Sequence, residues 1–307
     1  MSKPSDYEQK LAIGIVQTKV DAGLAWEAGG KQPKMTAIQD DYVWMQLRKA
    51  LRSFQNAGLK PKFIVFPELS LPRTRMAEFG RLVSALNVIA FIGADYHLDR
   101  KKMIAENQGV VFIPRGFFRG HPSRYCSRLV FGKSYAAPKE KKKLKELIPP
   151  WSFHGDHKVY VFDCAKYGRV GVSICYDFMD IERALMYRGK IQHLFVLAYN
   201  RDLGMFRSLA DSLSRTVFCN VVICNTGHYG GSLAVSPYYH AYNRTLYSHE
   251  GKDLFTTQVV ELPLRKLVRA QQEKQEQLSA GETQEFKDPP PGFKDRALLK
   301  LKKEKLE

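Results

Sequence analysis

The chain has no apolar run of membrane-spanning length and no two cysteines two residues apart. The first absence gives no spanning helix, and the polar start Met1-Ser-Lys-Pro-Ser-Asp-Tyr-Glu8 lacks a secretory apolar core. The five cysteines, Cys126, Cys164, Cys175, Cys219 and Cys224, are odd in number and form no metal-knuckle or dithiol motif. They suit a reduced, cytoplasmic protein better than a disulfide framework. No HExxH occurs, and His154-Gly-Asp-His157 has no third ligand at supporting spacing, so no metal is expected. Gly230-Gly231 is a turn signal; no GK[ST] follows it to make a phosphate loop.

Acidic residues are scarce. Against 48 Lys+Arg there are 31 Asp+Glu, a formal charge of +17. The cations cluster at Arg100-Lys-Lys102, Lys139 to Lys145 and Lys300 to Lys305. A solvated basic surface is the plain reading, and an anionic small molecule or nucleotide is the sharper one. No recognition helix, zinc finger or RNA-binding signature accompanies the charge, so nucleic acid is not expected as a partner.

What is present alternates between two periods. Leu11 to Gln17, Phe63 to Phe66, Val88 to Ala94, Gly109 to Pro114, Val159 to Phe162, Val170 to Ile174, His193 to Leu197, Val221 to Cys224 and Thr257 to Leu262 read as strands. Helical spacing runs over about 36–57, 73–85, 181–187 and 205–218. Strands alternating with helices predict one α/β layered domain over residues 9–264, after a short extension at 1–8. Residues 265–307 turn polar, charged and proline-broken, which predicts a mobile tail or an arm for oligomerisation. Phe286, Phe293, Leu298, Leu299 and Leu301 would anchor such an arm.

Three segments end in a residue suited to acyl transfer. Phe63-Ile-Val-Phe-Pro-Glu68 ends in a carboxylate, Leu129-Val-Phe-Gly-Lys133 in an ammonium, and Gly171-Val-Ser-Ile-Cys175 in a thiol. A thiol at a strand-to-turn position meets backbone N–H groups that stabilise thiolate and oxyanion. A partly buried Glu68 has its pKa raised toward that of a proton carrier, and Lys133 with the Tyr176 N–H would hold an oxyanion. For each residue the competing reading is structural: an inert core cysteine, a loop-end glutamate, one lysine among many.

Taken together, these segments resemble the nitrilase, or carbon–nitrogen hydrolase, superfamily. The likeness covers about residues 11 to 262. Phe66-Pro-Glu-Leu-Ser70 is similar to the segment of the catalytic glutamate, Gly132-Lys133 with Pro138 to that of the lysine, and Gly171-Val-Ser-Ile-Cys-Tyr-Asp177 with Glu182 to that of the nucleophile. Asn225-Thr-Gly227 with Gly231-Ser232 and Pro237 is similar to a late stretch that shapes the pocket. The resemblance implies a four-layer α-β-β-α sandwich and a Glu68-Lys133-Cys175 triad. Tyr176, Glu140, Asn200 and Asn225 would be the oxyanion and substrate contacts. It further implies no cofactor, a homodimer or higher oligomer, and hydrolysis of a small amide or carbamoyl compound. Tyr176-Asp177, where nitrile-hydrolysing members have Trp-Glu, points away from nitriles. Two departures stand out: Ile181 replaces the usual proline, and the nearest candidate for a second glutamate, Glu140, lies seven residues after Lys133 instead of eight. The rival class is a nitrilase-like scaffold or sensor that binds without turnover.

Overall fold

Two six-stranded sheets organise the chain, which this computed structural model describes over residues 3–26, 31–272 and 285–293. The first runs β15 (Thr256–Pro263), β1 (Lys10–Gln17), β2 (Phe63–Val65), β3 (Ile89–Gly93), β6 (Gln108–Pro114), β7 (Cys126–Gly132). The second runs β14 (Thr245–His249), β13 (Ser232–Val235), β12 (Asn220–Asn225), β11 (His193–Ala198), β10 (Arg169–Ile174), β9 (Val161–Asp163). In each, three central strands are parallel: β1 to β3 and β10 to β12. A small third sheet joins β4 (His97–Asp99), β5 (Ile104–Glu106) and β8 (Ser152–Phe153). The helices are α1 (Ala22–Ala25), α2 (Ala37–Gln55), α3 (Met76–Leu86), α4 (Pro138–Lys145), α5 (Ile181–Tyr187), α6 (Leu203–Leu213), α7 (Ala241–Arg244) and α8 (Arg265–Gln272).

Side chains on a strand alternate between faces, and here both faces are covered. Leu11, Ile13, Ile15, Phe63, Val65 and Phe91 pack with Val172, Ile174, Phe195 and Val222 between the sheets. Their neighbours Val16, Ile64, Phe66, Ala90 and Ile92 pack instead under Val43, Leu47, Leu51 and Phe54 of α2 and Phe79 and Val83 of α3. Tyr187 of α5 and Phe206 and Ala210 of α6 belong with the second sheet. The layering is therefore helix, sheet, sheet, helix. Among the described residues no helix is long and apolar enough to cross a membrane.

Two segments differ from their sequence reading. The basic stretch after Lys133 is not a loop but helix α4, because Pro138 presets its first turn and the lysines are good helix formers. The helix expected to run to residue 218 ends at Leu213 and closes in a single π turn, Ser214–Phe218. Past residue 264, α8 buries Leu267 and Val268, and Gln271 Nε2 donates to the carbonyls of Ile191 (3.0 Å) and Phe218 (2.7 Å). Phe286 stacks on Tyr238, and Phe293 meets Phe218 edge-on. These parts of the stretch 265–307 lie on the domain itself; the expected anchors Leu298, Leu299 and Leu301 and the run Lys300 to Lys305 lie outside the described residues.

His193, fully buried at the start of β11, carries a measurable consequence. Its Nε2–H donates to the Tyr167 carbonyl at 3.2 Å, and Nδ1 accepts from Asn220 Nδ2 at 3.1 Å, so the ring is neutral. Burial pushes its pKa from 6.5 down to about 3. The unfolded chain thus binds a proton that the folded one refuses, and stability falls as pH drops below 6.5 toward 3. At pH 5 this group alone should remove about 2 kcal/mol relative to pH 8. His193→Gln keeps a donor and an acceptor but does not titrate. Urea midpoints at the two pH values should separate wild type from variant by about that amount; equal pH slopes would refute the assignment.

Candidate active site

Each reactive residue sits where a central or edge strand ends. Glu68 follows β2 and Pro67, in a turn that continues through Leu69 with φ of +53°. Gly93 makes that turn possible, since a Cβ there would stand 2.4 Å from the Glu68 Cα. Lys133 directly follows β7, with its N–H on the Asn107 carbonyl at 2.8 Å. Cys175 directly follows β10 with φ of +47°, a left-handed conformation unusual for a side chain with Cβ, and opens a short 3₁₀ turn through Met179. Glu68 and Lys133 thus come from the first sheet and Cys175 from the second.

Lys133 Nζ lies between two carboxylates, 2.8 Å from Glu68 Oε1 and 2.6 Å from Glu140 Oε2. All three side chains are buried. Glu140 reaches the lysine because it sits in the first turn of α4, where its Oε2 also accepts from the Ala137 N–H at 3.1 Å. Its Oε1 accepts from Tyr96 OH (2.8 Å) and Asn107 Nδ2 (2.9 Å), and the same Nδ2 donates to Glu68 Oε1 at 2.8 Å. Cys175 Sγ lies near enough to Glu68, Lys133 and the Tyr199 N–H for all three to act on its charge.

These contacts decide the charges. Burial pulls Lys133 down, but Glu140 and Glu68 outweigh it and hold its pKa well above the usual lysine value. Burial raises Glu140, yet the lysine charge and three hydrogen bonds bring it below the usual carboxylate value. For Glu68 burial wins over Lys133, and its pKa is raised. Burial and the Glu68 charge also hold the Cys175 thiol well above its ordinary pKa. At rest the centre is therefore a Lys133–Glu140 ion pair beside a neutral thiol, with Glu68 more basic than an ordinary carboxylate.

A second buried group holds the two sheets' contributions in register. Asp177, two residues after the thiol, accepts from the backbone N–H groups of Ser134 (2.7 Å) and Tyr135 (2.9 Å). Arg183 donates to Asp177 Oδ2 at 3.3 Å and to Ser134 Oγ at 2.6 Å. The loop of Lys133 is thereby tied to the turn of Cys175.

The other sequence candidates occupy different places. Tyr176 is in the first turn of the 3₁₀ segment, where backbone N–H groups lack an intrahelical partner, and its side chain is partly exposed. Asn225 ends β12, and its side chain is taken up by the Asn200 N–H and the carbonyls of Asn200 and Gly230. The Asn200 side chain bonds within its own loop, to Asp202. In this arrangement the Asn225 side chain ties the loop of Asn200 to the end of β12. The lysines of α4 face outward and bring no cation to the thiol. Sequence reasoning passed over Asn107, Tyr96 and the Asp177–Arg183 pair. For Asp177 a signal existed, a carboxylate inside an apolar strand-end segment; for the other two there was none.

No family model matches the sequence, and no curated protein matches it. Solved structures do. Nit3 of Saccharomyces cerevisiae, described as a member of branch 10 of the nitrilase superfamily, is 18% identical, with a TM-score of 0.58 over 90% of this chain and 98% of its own. The fold is that of the nitrilase superfamily. An amidase from Nesterenkonia sp. shares this nitrilase fold at 12% identity, TM-score 0.57, over 85% of this chain and 94% of its own. So does part of a glutamine-dependent NAD+ synthetase from Acinetobacter baumannii, at 14% identity, TM-score 0.54, over 83% of this chain and 47% of that one.

Proposed function

We propose that the protein is a carbon–nitrogen hydrolase that cleaves a small amide or carbamoyl compound through a thioester on Cys175. The observation that carries this reading is the convergence of Glu68, Lys133 and Cys175 from two sheets, with Lys133 held between two carboxylates. Glu68 takes the thiol proton as sulfur attacks the carbonyl carbon, so a free thiolate never has to persist in a site that disfavours it. Lys133 and the Tyr176 N–H stabilise the tetrahedral oxyanion. The C–N bond breaks as Glu68 passes its proton to the departing nitrogen, leaving the acyl thioester. Glu68 then accepts a proton from water as its oxygen attacks the same carbon. Collapse expels the sulfur, Glu68 returns the proton to it, and the acid leaves. Glu140 does not exchange protons here; it keeps Lys133 charged.

In a variant of the Nesterenkonia amidase, acrylamide is found added to the active-site cysteine, which makes the same reagent a suitable probe. Peptide mass spectrometry after acrylamide treatment should find Cys175 modified ahead of the other four cysteines. Glu68→Gln should slow that modification and lower ammonia release from amides by about 10²–10⁴-fold. A Cys175 no more reactive than the others, with no ammonia from any amide, would instead establish the scaffold reading.

A further inference from the structure

Helix α4 has two unlike sides. Its inner side sets Glu140 on Lys133 and buries Leu144 among Tyr96, Leu147 and Trp151. Its outer side carries Lys139, Lys141, Lys142, Lys143 and Lys145, all exposed, with Glu146 paired to Lys142 at 3.7 Å. Through β8, which pairs with β5, the helix adjoins the β4–β5 hairpin, whose turn adds exposed Arg100, Lys101 and Lys102. Tyr135, 46% exposed, stands between Lys133 and this helix, its ring edge-on to His157 at 6.3 Å.

We propose that the outer side of α4 and the β4–β5 turn form a docking surface for single-stranded nucleic acid beside the Cys175 site. A small anion bound for the thiol would need cations facing inward, and these lysines face the other way. The sequence offered no recognition motif, but a strand held by its phosphates requires none: cations supply the affinity and an exposed aromatic ring supplies sequence-tolerant stacking. Lysine ammonium groups suit phosphates approached from many directions. A membrane surface fits less well, because a helix lying in a lipid interface presents an apolar face, and the apolar face of α4 is already buried.

The surface makes no use of Cys175, so its test is independent of the proposed hydrolysis. The probe is a fluorescein-labelled oligothymidine of about 20 nucleotides, followed by anisotropy with the full chain. Five phosphate contacts give a log–log salt slope of about −3.5, a loss of about 100-fold between 50 and 200 mM salt. Replacing Lys139, Lys141, Lys142 and Lys143 by Gln should weaken binding at 50 mM salt at least about tenfold and flatten the slope toward −1. Replacing the same four by Arg should retain binding, showing that charge at this helix is what matters. Arg115, Arg124 and Arg128, on the hairpin at the far end of β6 and β7, give the control: changed together to Gln, they should leave binding intact. Three results overturn the proposal: no binding at 50 mM salt, an equal loss in the distal arginine variant, or a loss on ending the chain at Phe293 with α4 unaltered. Binding to vesicles rich in phosphatidylserine with none to the oligonucleotide also overturns it, in favour of a lipid surface.

Discussion

Lys133→Met should abolish turnover and leave a protein whose loss of stability relative to wild type is larger at pH 8 than at pH 5. The catalytic part follows from the loss of the only cation bonded to Glu68 and Glu140 in the described structure, with about 10²–10³-fold assigned to oxyanion stabilisation alone. The stability part is larger than for a typical catalytic residue. Two buried carboxylates would face each other with no cation between them, and removing one partner of a buried ionic group costs about 3–5 kcal/mol. The variant escapes part of this by keeping a proton. Both glutamates would then have folded pKa values above the ordinary 4.5, so the folded state binds more protons than the unfolded one above that pH. The glutamates' contribution to stability therefore declines as pH rises from 4.5 through the raised folded values and levels off beyond them. Urea midpoints at pH 5 and 8, compared with wild type, measure this. Adding Glu140→Gln should restore much of the stability at pH 8 and none of the activity. A single variant as stable as wild type at pH 8 would mean that the lysine is not the counter-charge described.

Asp177→Ala should reduce kcat sharply without touching any reacting atom. Its carboxylate holds the N–H groups of Ser134 and Tyr135, so its removal frees the loop that delivers Lys133. A misplacement of about 1 Å at the reacting centre is worth about 100-fold in rate. Arg183 would also be left buried without its carboxylate, a loss of about 3–5 kcal/mol. Asp177→Asn separates the two effects: one amide oxygen still accepts from the loop, while the charge opposite Arg183 is gone. The expected order of acrylamide reactivity at Cys175 is wild type, then Asp177→Asn, then Asp177→Ala. If Asp177→Ala lost stability but kept the full reactivity of Cys175 and the wild-type kcat, the brace would be structural only.

The parts of this molecule that could be read from its sequence are those where local pattern and tertiary role coincide. Parallel strands covered on both faces are continuous apolar runs, so Phe63 to Val65 and Val170 to Ile174 announce themselves, and the polar residue that ends each run marks the sheet edge. Glu140 was harder. Counting at a fixed offset puts it one residue short, and only the helical turn begun by Pro138 brings its carboxylate to Lys133. Tyr96 and Asn107 gave no sign, because each contributes through one side-chain position set by strand register and by the turn of a neighbouring element. The outward lysines of α4 looked like any solvated loop until the helix showed that the same eight residues also carry Glu140.

The placement of Glu68, Lys133 and Cys175 across two sheets bears on when the proposed nucleophile gains its partners. Cys175 is translated more than a hundred residues after Glu68, yet the glutamate's own sheet is still incomplete at that point. Its outermost strand, β15, pairs with β1 along eight residues and ends at Pro263. A nascent chain emerging from the ribosome therefore holds an unassisted cysteine, with neither base nor cation in place, until nearly the whole domain has been synthesised and its sheets have docked. On the proposed mechanism Cys175 gains its base and its cation only when the sheets dock, so thioester formation is a property of the finished domain alone.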